Sequence, residues 1–122
     1  FLNSNCFQVI IEQSPDKNRR GLVNKRENAS LKVKSNINEI ILNRLFKYCI
    51  NHNIKKNKII DANENLNFPE VKKSISDKFK SYLSYGSIAE KYYKEDNSIV
   101  VIYRIFKNDL KNEIESIEIN LK

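Results

Sequence analysis

Glycine is nearly missing from this chain, with Gly21 and Gly86 the two present in 122 residues, and that scarcity removes whole classes of chemistry. A phosphate-cradling loop needs several glycines whose backbone approaches the anion, and a nucleophile elbow needs glycines flanking its serine. Neither can be built from this sequence. Histidine occurs once, as His52, and cysteine twice, as Cys6 and Cys49. A structural zinc site takes about four Cys, His or carboxylate ligands in a cluster, which that supply does not offer. Cys49 and His52 stand three residues apart and could share one helix face as a metal or Cys–His pair. The expectation for Cys49, on the apolar side of its helix, is instead a small hydrophobe, and no Cys6–Cys49 disulfide is expected.

Tryptophan and methionine are absent, and no run approaches the ~20 apolar residues of a membrane-spanning helix. Carboxylates are present in "DANEN", "KEDN" and "NEIESIE", among other places. Glu95 and Asp96 are expected to solvate a turn, and Glu113, Glu115 and Glu118 to lie on the polar side or end of the last helix. General acid–base chemistry requires two such groups to converge in a cleft, which nothing in the spacing indicates. The reading is therefore no enzyme, no cofactor and no metal.

What the chain does have is positive charge, with a net of +7. Residues 1–58 hold twelve Lys and Arg against four Asp and Glu, whereas 59–122 hold ten against eleven. The excess gathers in "KNRR", "NKR" and "IKKNK", making Arg19, Arg20, Lys25, Arg26, Lys55, Lys56 and Lys58 the candidate contacts for an anionic surface. Nucleic acid is the competing partner, and Tyr82, Tyr85, Tyr92 and Tyr93 would be its stacking platform. Lysine outnumbers arginine, the residue that reads bases bidentately, and heavy use of Asn, Ile and Lys has the look of A+T-rich coding.

Hydrophobic periodicity gives the elements. "CFQVIIEQ" predicts a strand over Phe7–Ile11, and "SPDKNRRGLVNKREN" a loop. From Glu27 to Ile50, apolar residues at 29, 33, 37, 40, 41, 45, 48 and 49 predict a long amphipathic helix, ended by the asparagines of "NHNIKKNK". "KIIDA" predicts a short strand, and Pro69–Ser84 a second helix with Val71, Ile75, Phe79, Tyr82 and Leu83 on one face. "SIAEKYYK" and "SIVVIYRIF" around "EDN" predict a β-hairpin, whose second strand is apolar on both faces and so central. A last helix is expected to start from a cap at Asn108 or Asp109, with Leu110, Ile114 and Ile117 along one stripe.

The fold class expected is α+β: a small mixed or antiparallel sheet with a C-terminal β-hairpin, packed by two main amphipathic helices and a short C-terminal helix, in the order β-α-β-α-β-β-α. One domain over residues 7–122 accounts for the length.

Three stretches carry a family resemblance. Arg26 and Ala29 in the first helix, the hairpin "IAEKYYKEDNSIVVIYRI", and the Lys107-to-Leu110 helix start together resemble the LPP-twenty-like family of small bacterial envelope lipoproteins. The likeness spans about the C-terminal three quarters of the chain. It implies a non-enzymatic structural, accessory or assembly component at the outer membrane, held there by a lipid and working by contact with other envelope proteins. Some relatives serve flagellar or surface assembly. Under that resemblance Cys6 of "FLNSNC" is the lipidated residue, and the segment 1–6 is what remains around a signal-peptide junction. Two alternatives stay open: Cys6 as an unmodified residue before a strand, and the domain as a soluble nucleic-acid binder or a homo-oligomer subunit.

Overall fold

The computed structural model describes residues 1–57 and 77–117. Strand β1 (Cys6–Gln13) leads into helix α1 (Leu22–Asn57), helical residues 77–82 form α2 and run into a 3-10 turn (Leu83–Tyr85), and strands β2 (Gly86–Tyr93) and β3 (Ile99–Phe106) precede helix α3 (Leu110–Glu115). The protein is α+β, with an antiparallel three-stranded sheet of order β1-β3-β2. The expected strand "KIIDA" and the first half of the expected Pro69–Ser84 helix lie outside the described residues.

Strand β3 is central, as two apolar faces require. Its neighbours pair with Val9 opposite Tyr103 on one side and Tyr93 opposite Ile99 on the other. The hairpin closes over residues 95–97. Lys94 and Ser98 are joined by the Lys94 N–H to the Ser98 carbonyl at 2.9 Å, and Asn97 takes a positive φ of 67°. Asparagine tolerates that left-handed conformation, and Asp96 Oδ1 accepts the Ser98 N–H at 3.0 Å. A bulge between Ile88 and Glu90 breaks the β2 register.

Helix α1 departs from expectation at both ends. It begins five residues before Glu27, because Gly21 at φ 84° turns the chain and polar side chains then bind across to the sheet instead of forming a loop. Arg26 donates to Asn97 Oδ1 at 3.3 Å and covers the Tyr93 ring at 4.9 Å. Asn28 and Lys32 both hold Asp16, the latter at 2.6 Å. At the other end the asparagines do not stop the helix. Asn53 is buried and its amide donates to the Cys49 carbonyl at 2.9 Å and the Ile117 carbonyl at 3.0 Å, so it fastens α1 to the end of α3.

Buried positions of α1 advance by four: Ala29, Val33, Ile41, Leu45, Cys49 and Asn53. Such a row runs oblique to the helix axis, so the contact line drifts around α1 as it rises. Its early residues lie by the hairpin end, and its last ones reach α3. Together with Phe79, Tyr82, Leu110 and Ile114 they cover one sheet face, made by Phe7, Val9, Ile11, Ile99, Val101, Tyr103 and Ile105.

The start of α3 also differs in its chemistry. Asp109 is at the expected cap position, but at φ 62° and without a side-chain cap bond to the helix backbone. Its N–H is taken by Asn5 Oδ1 at 2.8 Å, while its carboxylate accepts from Asn112 Nδ2. Tertiary contact therefore replaces the local cap.

Gly86, the first residue of β2, lies directly against the Tyr103 ring, with no room for a Cβ. Tyr103 is 7% exposed and packed in the core, so its ring has nowhere to swing. Gly86→Ala is expected to lower unfolding free energy by about 1–3 kcal/mol through overpacking. Urea denaturation measures this, and an unchanged midpoint would contradict the close approach.

Candidate interaction surface

The sequence-predicted anionic-surface residues do not form one patch. Arg19 and Arg20 are exposed just before α1, and Lys25 and Arg26 sit half-buried in its first turns. Lys55 is exposed near the opposite end, roughly 45 Å away at the helical rise of about 1.5 Å per residue. Lys56 follows it in the helix, and Lys58 lies outside the described residues. Since Arg26 is already committed to Asn97 and Tyr93, the N-terminal cluster depends on its neighbours.

The tyrosines also diverge. Tyr82 is buried in the core, and Tyr85 is exposed with the Lys107 ammonium 5.6 Å from its ring centre. Tyr92 and Tyr93, as successive strand residues, point to opposite sheet faces. No stacking row results.

Cys6 opens β1 opposite Phe106 and is 1% exposed. Residues 1–5 fold over this end of the sheet. Phe1 packs edge-on against Phe7 and Tyr48, with ring centres 4.9 and 4.8 Å apart. The Asn5 carbonyl accepts the Lys107 N–H at 3.0 Å and the Ser4 carbonyl accepts the Lys111 N–H at 2.9 Å. The N-terminal segment thus ties down the β3–α3 connection.

Cys49 is fully buried, with Sγ 3.9 Å from the Ile114 carbonyl. Burial pushes its thiol up to about 11, so it is protonated and poorly nucleophilic at neutral pH. His52 is turned toward α3, with Nδ1 3.9 Å from Glu115 Oε1. The same carboxylate accepts the Tyr48 hydroxyl, and burial together with that bond pushes the phenol up to about 12. Glu113 pairs with Lys107 at 2.6 Å. These two glutamates, expected on the polar side or end of the last helix, join α3 to its surroundings; Glu118 lies outside the described residues. Among the described residues no three His, Cys, Asp or Glu side chains are grouped to hold a metal ion.

Shallow grooves among the described residues include Phe7–Ile10 with Arg44 and Tyr48; Glu27, Ser30, Leu31 and Lys34 with Tyr93; and Tyr48, Asn51, His52 and Lys55. None brings an acid, a base and a nucleophile together.

The larger surface is the sheet face away from the helices. There Ile10 lies opposite Ile102, and Phe106, Ile10 and Tyr92 are 56%, 54% and 47% exposed. The Gln8–Arg104 pair, with Arg104 Nε donating to Gln8 Oε1 at 2.8 Å, lies between the Ile10–Ile102 pair and Phe106, and Lys94 meets Glu12 at 2.7 Å on the other side of Ile10. Strand β2 is an edge of the sheet among the described residues, and its side chains are mostly exposed. The alternation of Val100, Ile102, Arg104 and Phe106 was the signal for this second face. No family model matches the chain, and no curated protein or solved structure matches it.

Two measurements check these assignments. Lys32 holds the Asp16 carboxyl below its ordinary value, chiefly through its hydrogen bond, and the Ser98 N–H does the same for Asp96. Lowered folded-state values mean that this stabilisation is present above the unfolded pKa of about 3.9 and is lost as pH falls through the folded one. The acid-side fall in urea midpoint is expected to be smaller in Asp16→Asn/Asp96→Asn; an identical fall would exclude these two groups as its source. Both thiols are expected to resist alkylation in the folded protein at pH 8 and to react on unfolding, whereas fast labelling of Cys6 would show an open N-terminal segment.

Proposed function

We propose that this chain is a non-enzymatic component that works by protein contact, with the uncovered sheet face as its docking surface. The observation that carries this reading is the exposure of Ile10, Tyr92 and Phe106 on one sheet face, with Ile102 half-buried beside Ile10, while the described helices cover the opposite face. Large apolar side chains exposed on one face and interleaved with polar pairs suit association with a partner surface. Lys94 and Glu12 offset each other's charge, while Arg104, bonded to the neutral Gln8, keeps its positive charge. The nucleic-acid reading is less well supported, because the basic clusters are separated and the tyrosines do not align.

The family resemblance places the proposal in a bacterial envelope, with lipid on Cys6 as the anchor. Attachment there would remove residues 1–5 and so cost the fold the Phe1 ring contacts and the two carbonyl bonds to Lys107 and Lys111. The anchored form would have a freer β3–α3 connection than the full chain.

A photo-crosslinking residue at position 10 or 106, expressed in the native cell, is expected to yield a discrete protein adduct, while the same group at Lys47 yields none. Equal adduct patterns at all three positions would overturn the docking face. An adduct of twice the chain mass would identify the homo-oligomer. In parallel, intact mass of the natural precursor's product and of Cys6→Ser tests the anchor: acyl mass in the first and not in the second is expected, and equal unmodified masses would discard the lipid.

A further inference from the structure

We infer that the tip formed by residues 17–25, with Leu31 beside it, is a contact site for an anionic lipid surface. This goes beyond the protein-contact reading and uses a different part of the molecule, at the start of α1.

Two observations meet there. The first is exposed apolar area where a soluble helix would present polar residues: Leu22, Val23 and Leu31 are 55%, 70% and 63% exposed. Val23 and Leu31 are eight positions apart, so they lie on one stripe of the helix with Glu27 between them. The second is charge. Residues 17–34 contain seven Lys and Arg and a single carboxylate, Glu27. Of these cations Arg26 and Lys32 are occupied by Tyr93 with Asn97, and by Asp16. Lys17, Arg19, Arg20, Lys25 and Lys34 carry no ion pair among the described residues.

The tip is also held in shape. Asp16 accepts Lys32 and Asn28 side chains from α1, its carbonyl accepts the Arg19 N–H at 3.1 Å, and the Lys25 N–H reaches the Gly21 carbonyl at 3.0 Å. The loop that bears Lys17, Arg19 and Arg20 is thereby fixed beside the first turns that bear Leu22 and Val23. Cations flanking exposed aliphatic side chains match the bilayer interface, where the former meet anionic headgroups and the latter enter the acyl boundary. A nucleic acid would use the same cations, but it has no place for Leu22 and Val23; residues 17–25 contain no aromatic ring for a base to stack on, and the Tyr93 ring beside Leu31 is already covered by Arg26.

The test is co-sedimentation of the full, unlipidated chain with phosphatidylcholine vesicles, with and without about 30% phosphatidylserine. Sedimentation is expected with the anionic vesicles alone, weakening as salt rises. Arg19→Gln/Arg20→Gln should lower the partition coefficient about 25-fold, at about fivefold per cation. Leu22→Asn/Val23→Asn should lower it about tenfold or more. Lys55→Gln, at the far end of α1, should leave it unchanged, and circular dichroism should report the same melting for all variants. Absence of sedimentation, or binding indifferent to Leu22→Asn/Val23→Asn, overturns the inference. Tighter retention on a DNA duplex at equal salt, lost in Arg19→Gln/Arg20→Gln and kept in Leu22→Asn/Val23→Asn, would assign the tip to nucleic acid instead. Because the chain is unlipidated and the sheet face is untouched, these results are independent of the crosslinking outcome.

Discussion

Strand β3 has a partner on each edge and apolar residues on both faces, and the rest of the molecule is arranged around that double demand. Ile99, Val101, Tyr103 and Ile105 face the helices, and their burial gathers α1, α2 and α3 onto one side of the sheet. Burying aliphatic and aromatic side chains, at roughly 1.5–3 kcal/mol each, exceeds what any of the individual surface ion pairs can supply. On the other side Val100 is buried and Ile102 half-buried, while Ile10 and Phe106 are exposed, and among the described residues no helix packs over this face. The same strand that organises the core therefore creates the surface on which the proposed function rests.

Polar side chains do much of the joining between elements. Asn53 fastens α1 to the end of α3, Asn5 Oδ1 braces the start of α3, and Asp16 secures the loop before α1. Each is a short polar residue that a pattern reading assigns to solvent or to a turn. Buried or bridging, such a group has to find partners, and its partners come from distant segments. The acidic residues follow the same rule. Glu113 and Glu115 serve as anchors for Lys107 and Tyr48.

Elements with strong hydrophobic periodicity were legible in the residues. The hairpin around "EDN", the central position of the last strand and the apolar stripe of α1 all follow from side-chain alternation at two or near 3.6 residues. Helix boundaries were not. Asn51 and Asn53 read as an exit because asparagine tolerates left-handed backbone, yet a buried partner at Ile117 makes helix the better conformation for Asn53. The first turns of α1 lack an apolar repeat and read as loop, although Arg26 and Asn28 find their partners only when those turns are helical. Boundary residues have few local constraints, so long-range bonds choose among conformations of similar local energy.

The candidate surface divides in the same way. By itself the sequence determined that the chain is a basic α+β protein with a central two-faced strand, and that glycine-loop and multi-histidine sites are absent, because composition and periodicity are properties of neighbours along the chain. Only the tertiary structure decided that Arg19 and Lys55 stand at opposite ends of a 36-residue helix, that Cys6 is enclosed by the residues before it, and which face of the sheet stays bare. Those outcomes depend on which distant surfaces pack first against β3. A one-dimensional pattern marks a face as apolar, but the number of covering elements determines whether that face is core or surface.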